Sequence, residues 1–194
     1  DDDQRRRPPA VLRGAARLML TLLGWKLIDL PQRPARAVVI GYPHTSNWDF
    51  PIGLLAIAAL DIDARWVGKD TLFRHGCGPL MRALGGIPVN RRERTGFVER
   101  MVGEFRRRER FLLLIATEGT RRLQAGWKSG FYRIAMAAEV PVLVGMVDYP
   151  RREIGLVSSL HLTGNEAADM ARIAACYDGR AGYHSENASP IRLL

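Results

Sequence analysis

The 194-residue chain is long enough for one sizeable hydrophobic core and falls in the size range of a single domain. Its 47% hydrophobic and 25% charged residues exclude a largely disordered chain, and a formal charge of +9 favours phosphate-bearing partners or an anionic membrane surface. Cys77 and Cys176 are too few and too far apart for a disulfide scaffold or a metal site, and they fit reduced thiols in a cytosolic setting.

A basic run, Arg5, Arg6 and Arg7, precedes residues 11–30, a leucine-rich segment broken by Arg13, Arg17, Lys26 and Asp29. Those charges argue against a membrane-spanning helix, and Arg17 interrupts the apolar region a secretory leader needs. Two readings stay open: a helix lying in a membrane interface with Trp25 at the boundary, or a helix packed on the protein's own core. Next, AVVIGY at 37–42 is a β-branched run between Pro34 and Pro43 and predicts a buried strand. A helix is predicted over 50–60, with Asp49 at its N-cap and Pro51 in its first turn. A strand over 64–68 is followed by a helix over 71–84, weakened at Gly76, Gly78 and Pro79, and by an extended segment at 85–89 leading into NRRER. Phe97, Met101, Val102 and Phe105 recur at helical spacing, so 96–110 is an amphipathic helix. FLLLIA at 111–116 is apolar on both prospective faces and predicts a central strand. The loop TEGTRRLQAGWKSG then leads to a helix over 131–138, strands over 140–147 and 155–162, and a helix over 166–177. This alternation predicts an α/β sandwich whose mostly parallel sheet is flanked by helices, with ligands held where loops follow strands.

Three loops carry the chemistry. In HTSNWD, at 44–49, His44 has the basicity to take a proton from an alcohol, and Asp49 is placed to hold its ring and support the charged form. The same spacing equally suits a surface histidine beside a helix-capping aspartate. In TEGTR, at 117–121, Gly119 permits a tight backbone path, Thr120 and Arg121 suit phosphate oxygens, and Glu118 suits a polyol or the arginine itself. A charged surface turn is the alternative. In NRRER, at 90–94, Arg91 lies closest to the preceding GGIP turn and is the preferred phosphate contact. No G-x-S-x-G elbow marks Ser46 or Ser129 as a hydrolase nucleophile, and the four histidines show no metal-ligand spacing.

Taken together and in order, HTSNWD, GGIPVNRR, EGTR and VPVLVG resemble the four blocks of the glycerolipid acyltransferase family, especially its bacterial 1-acyl-glycerol-3-phosphate acyltransferases. The resemblance spans 44–145. It departs at Thr117, where the family commonly has proline, at Asn90, which replaces an acidic residue, and at VPVLVG, which lacks a closing proline. The resemblance implies His44 as general base and Asp49 as its support, with Arg91, Glu118, Gly119, Thr120, Arg121 and Lys128 binding substrate. It implies a single acyltransferase domain over 31–194, preceded by a basic tail and interfacial helix at 1–30. Acyl-CoA or acyl-carrier protein would donate the acyl group to lysophosphatidate, with no cofactor or metal. Glycerol-3-phosphate or another lyso-lipid is the alternative acceptor. An apolar groove near Trp48, Phe50, Leu72 and Phe73, or the N-terminal helix, would hold the chain. The expected location is cytoplasmic, peripheral on the membrane's inner face. A nonenzymatic anionic-lipid or nucleic-acid binding protein is the competing reading, although no nucleic-acid motif supports a specific partner of that kind.

Overall fold

A computed structural model of the chain describes residues 8–74, 76–89 and 96–194. Among these residues the apolar runs become seven strands, β1 (Lys26–Ile28), β2 (Arg36–Tyr42), β3 (Ala64–Lys69), β4 (Gly86–Val89), β5 (Phe111–Ala116), β6 (Val142–Asp148) and β7 (Glu153–Leu160). They form one sheet in the order β1-β7-β6-β2-β5-β3-β4. Neighbours run parallel except β6 and β7, whose connection is a short turn too brief for the crossover that parallel pairing needs.

Among the described residues, six helices cover the sheet: α1 (Ala10–Leu22), α2 (Asp49–Ala59), α3 (Gly78–Ala83), α4 (Phe97–Arg107), α5 (Gly130–Ala137) and α6 (Glu166–Cys176). Strand β2 shows why its sequence is an apolar run after the exposed Arg36. Val38 and Ile40 bury into the layer of α4, α5 and α6 with Phe105, Phe131 and Ile173. Ala37 and Val39 pack on the opposite face with Leu60, Leu112 and Leu143. A strand covered on both faces has no solvent side on which to place polar residues.

The structure revises three local expectations. The predicted helix over 71–84 is a 3-10 turn, Asp70–Phe73, and a separate α3, because the chain doubles back so tightly that a Cβ at Gly78 would stand 2.4 Å from the Phe73 carbonyl oxygen. Within 11–30 the helix stops at Leu22, Gly24 takes a φ of 77°, and the chain enters the sheet as β1. Trp48 holds the N-cap position of α2, and Asp49 is instead the first helical residue, its carboxylate turned back onto the preceding loop.

Helix α1 packs Ala16 and Leu20 against Ile52, Ala56 and Ala59 of α2. Its two arginines reach across to the end of α2: Arg13 pairs with Asp61 at 2.9 Å and the exposed Arg17 donates to the Ala59 carbonyl at 2.8 Å. Val11, Leu18, Met19 and Leu22 face outward, Val11 at 84% and Leu22 at 77% exposure. No helix among the described residues is long and apolar enough to cross a membrane.

Candidate active site

The end of β2 delivers His44 into a short loop, and α2 begins immediately after it, so the loop must turn sharply enough to bring residues 44 and 49 together. Asp49 closes that turn. Its Oδ2 accepts the amides of Thr45 and Ser46, each at 2.9 Å, and stands 3.1 Å from His44 Nδ1. With Nδ1 committed to the carboxylate, Nε2 is the nitrogen left to receive a proton. The imidazole keeps 21% side-chain exposure, whereas Asp49 keeps 6%. Burial alone would push the Asp49 carboxyl up. Hydrogen bonds from His44, the Ser46 amide and Tyr149 outweigh it and hold the group below the usual carboxylate range. Ser46 Oγ accepts the Trp48 amide at 3.2 Å, which gives this serine a turn-forming role.

Glu118 follows β5 and is fully buried. Its Oε2 accepts the His44 amide and its Oε1 the Ser189 amide, both at 2.7 Å. The carboxylate expected at the substrate therefore stands behind His44, bracing the loop from below and tying it to the C-terminal segment. Burial raises its pKa more than those two amides lower it. Gly119 adopts a φ of 65°, and a Cβ there would press on the Lys128 side chain at 3.0 Å. The glycine thus serves the turn and clears a path for the lysine.

His44, Asp49, Gly119, Thr120, Arg121 and Lys128 line one cleft of about 810 Å³. Val89, the last residue of β4, lines it too, and the expected phosphate contact Arg91 falls outside the described residues. Away from the polar mouth, the cleft runs between α2 and the sheet past Gly53, Ile57, Leu60, Val39 and Leu114. Phe50 and Leu72 belong to its wall as the sequence suggests, whereas Trp48, Phe73 and α1 do not. Lys69 also lines the cleft and has no motif to announce it.

The polar tail, without pattern in the sequence, straps the site from outside. His184 donates its amide to Thr45 Oγ1 at 3.1 Å, Ser189 Oγ accepts the Gln124 amide at 3.1 Å, and the Ser189 carbonyl accepts the Tyr42 hydroxyl at 3.2 Å. Most of these bonds use main-chain atoms on the tail, so residue identity gives little warning of them.

The sequence profile of the Acyltransferase family matches residues 28–147. No curated protein matched the chain. Among solved structures, the fold is similar to that of the 1-acyl-sn-glycerophosphate (LPA) acyltransferase PlsC from Thermotoga maritima, with a TM-score of 0.57 and 15% sequence identity over 85% of this chain and 74% of that one. The profile match runs from the end of β1 nearly to the end of β6 and takes in both the His44–Asp49 loop and the Glu118 loop that braces it, so the chain belongs to the Acyltransferase family and is an acyltransferase.

Proposed function

We propose that the protein transfers a fatty acyl group from acyl-CoA or acyl-carrier protein to the free hydroxyl of lysophosphatidate, forming phosphatidate. The observation that carries this reading is the 3.1 Å contact between His44 Nδ1 and Asp49 at the mouth of an apolar cleft rimmed by Arg121 and Lys128. His44 Nε2 takes the proton as the acceptor oxygen attacks the thioester carbonyl. The tetrahedral intermediate then collapses, expelling a thiolate that recovers the proton. Asp49 keeps the ring aligned and supports its positive charge. Thr120, Arg121, Lys128 and Arg91 are assigned to the acceptor phosphate, and Gly119 to the backbone turn that admits it. The apolar run under α2 takes the acyl chain. The thioester is itself the activated donor, so the reaction needs no metal or redox cofactor. Lysophosphatidate is preferred over glycerol-3-phosphate or another lyso-lipid because the cleft joins a cationic rim to an apolar interior and because the similar Thermotoga protein is an LPA acyltransferase.

Peripheral attachment to an anionic membrane, on its cytoplasmic face, belongs to the same proposal. Helix α1 buries Ala16 and Leu20 and leaves Val11, Leu12, Leu18, Met19 and Leu22 exposed, an apolar outer face suited to a lipid interface, and the surplus of +9 adds attraction to acidic head groups.

The test is acyl transfer to lysophosphatidate, glycerol-3-phosphate and lysophosphatidylcholine from both donor types. Lysophosphatidate is expected to be the preferred acceptor, and His44→Ala to lose about a hundredfold or more in kcat. Equal product from His44→Ala removes His44 from the mechanism. A preference for an acceptor without the terminal phosphate monoester removes the phosphate assignment.

A further inference from the structure

Asp49 has two oxygens, and the loop it closes uses only one. Oδ2 serves His44 and the amides of Thr45 and Ser46. Oδ1 accepts the phenol of Tyr149 at 2.7 Å, across a sequence separation of 100 residues. Tyr149 directly follows β6 and lies just outside the stretch matched by the family profile. Its place is built from three parts of the chain. Its amide donates to the Ala181 carbonyl at 3.0 Å, and its ring meets Trp25 edge-on at 5.1 Å and Tyr183 at 5.2 Å.

We infer that Tyr149 is a third member of the His44–Asp49 arrangement: a positioning residue whose hydroxyl anchors Asp49 Oδ1 and so fixes the carboxylate plane that presents Oδ2 to His44 Nδ1. This rests on the reading of His44 as general base. A carboxylate on a short side chain can rotate about its last bond, and donors on one oxygen alone leave that rotation open. A short charge-assisted bond on the other oxygen closes it. The donor is also secure, because burial first and the Asp49 carboxylate second push the Tyr149 phenol far above its ordinary range and keep it protonated. The other titratable groups around the pair are Glu118 behind His44, Tyr183 and His184 on the C-terminal segment, and Lys69, Arg121 and Lys128 along the cleft.

Tyr149→Phe removes the hydroxyl and leaves the ring between Trp25 and Tyr183. In the 194-residue chain its kcat for acyl transfer is expected to fall about tenfold, with both KM values unchanged. In an Asp49→Asn background the same substitution is expected to add little, since its effect passes through the carboxylate. By 13C NMR, the Asp49 carboxyl midpoint is expected to rise in Tyr149→Phe and to fall when position 149 carries 3,5-difluorotyrosine, a more acidic phenol of nearly the same shape. The fluorinated protein keeps the test available should the phenylalanine variant fold poorly. An unchanged kcat in Tyr149→Phe, an equal loss in both backgrounds, or a carboxyl midpoint that ignores fluorination overturns the proposal. Absence of wild-type transfer to lysophosphatidate overturns the acceptor reading instead, and the carboxyl titration still tests Tyr149.

Discussion

Asp49 gathers four donors onto one buried carboxylate, and this crowding makes its ionisation a condition of the loop's shape. Its folded pKa lies below the ordinary value, so its ionised form contributes stability that is fully present above the unfolded value of about 4 and is lost as pH falls through the depressed folded value. Thermal melts of the parent and Asp49→Asn should therefore differ by a constant margin from neutral pH to about pH 4, with the gap narrowing below that. A gap as wide at pH 3 as at pH 7 contradicts this account. Glu118 runs the other way, its carboxyl raised because burial outweighs the hydrogen bonds from Ser189 and the His44 amide. Both residues stand out in the sequence as motif letters. That Asp49 binds its own loop, and that Glu118 faces the His44 backbone, depends on which atoms the fold leaves nearby.

The element on which the N-terminal region depends is the shortest strand. β1 lies at the sheet edge and pairs with β7 through Ile28 and Gly155, where the backbones approach so closely that a Cβ on Gly155 would stand 1.8 Å from the Ile28 carbonyl oxygen. Gly155 also holds a φ of 147°, a conformation side chains rarely adopt. Gly155→Ala is expected to cost about 1–3 kcal/mol in chemical denaturation and to speed hydrogen exchange in β1 before the central strands. Wild-type stability with unaltered β1 exchange would show that this contact does not hold the edge. The sequence could not announce β1, because three residues carry no usable periodicity, and the adjoining leucines of α1 dominate the pattern. The long runs of β2, β5 and β6 were readable for the opposite reason: β6 is buried along its whole length, and β2 and β5 each carry an unbroken run of buried apolar residues.

At the scale of the molecule, membership of an acyltransferase family sets aside a purely nonenzymatic binding role and gives the positive charge a catalytic context. The exposed leucines of α1 carry the proposed attachment to a lipid surface. Replacing Leu18 and Leu22 with aspartate is expected to weaken co-sedimentation with phosphatidylglycerol vesicles about tenfold or more, while turnover of a short-chain, water-soluble acceptor stays at the parental rate. Unchanged vesicle binding by the double variant would place the membrane contact elsewhere. The sequence by itself determined the α/β alternation, the apolar strands and the acyltransferase blocks, because these are written in local periodicity and in closely spaced residues. Only the tertiary structure decided that the α1 arginines reach the end of α2, that the tail straps the His44 loop, and that Tyr149 reaches Asp49. Each of those contacts joins residues far apart in the chain, several through main-chain atoms common to every residue, and so only their meeting in space reveals them.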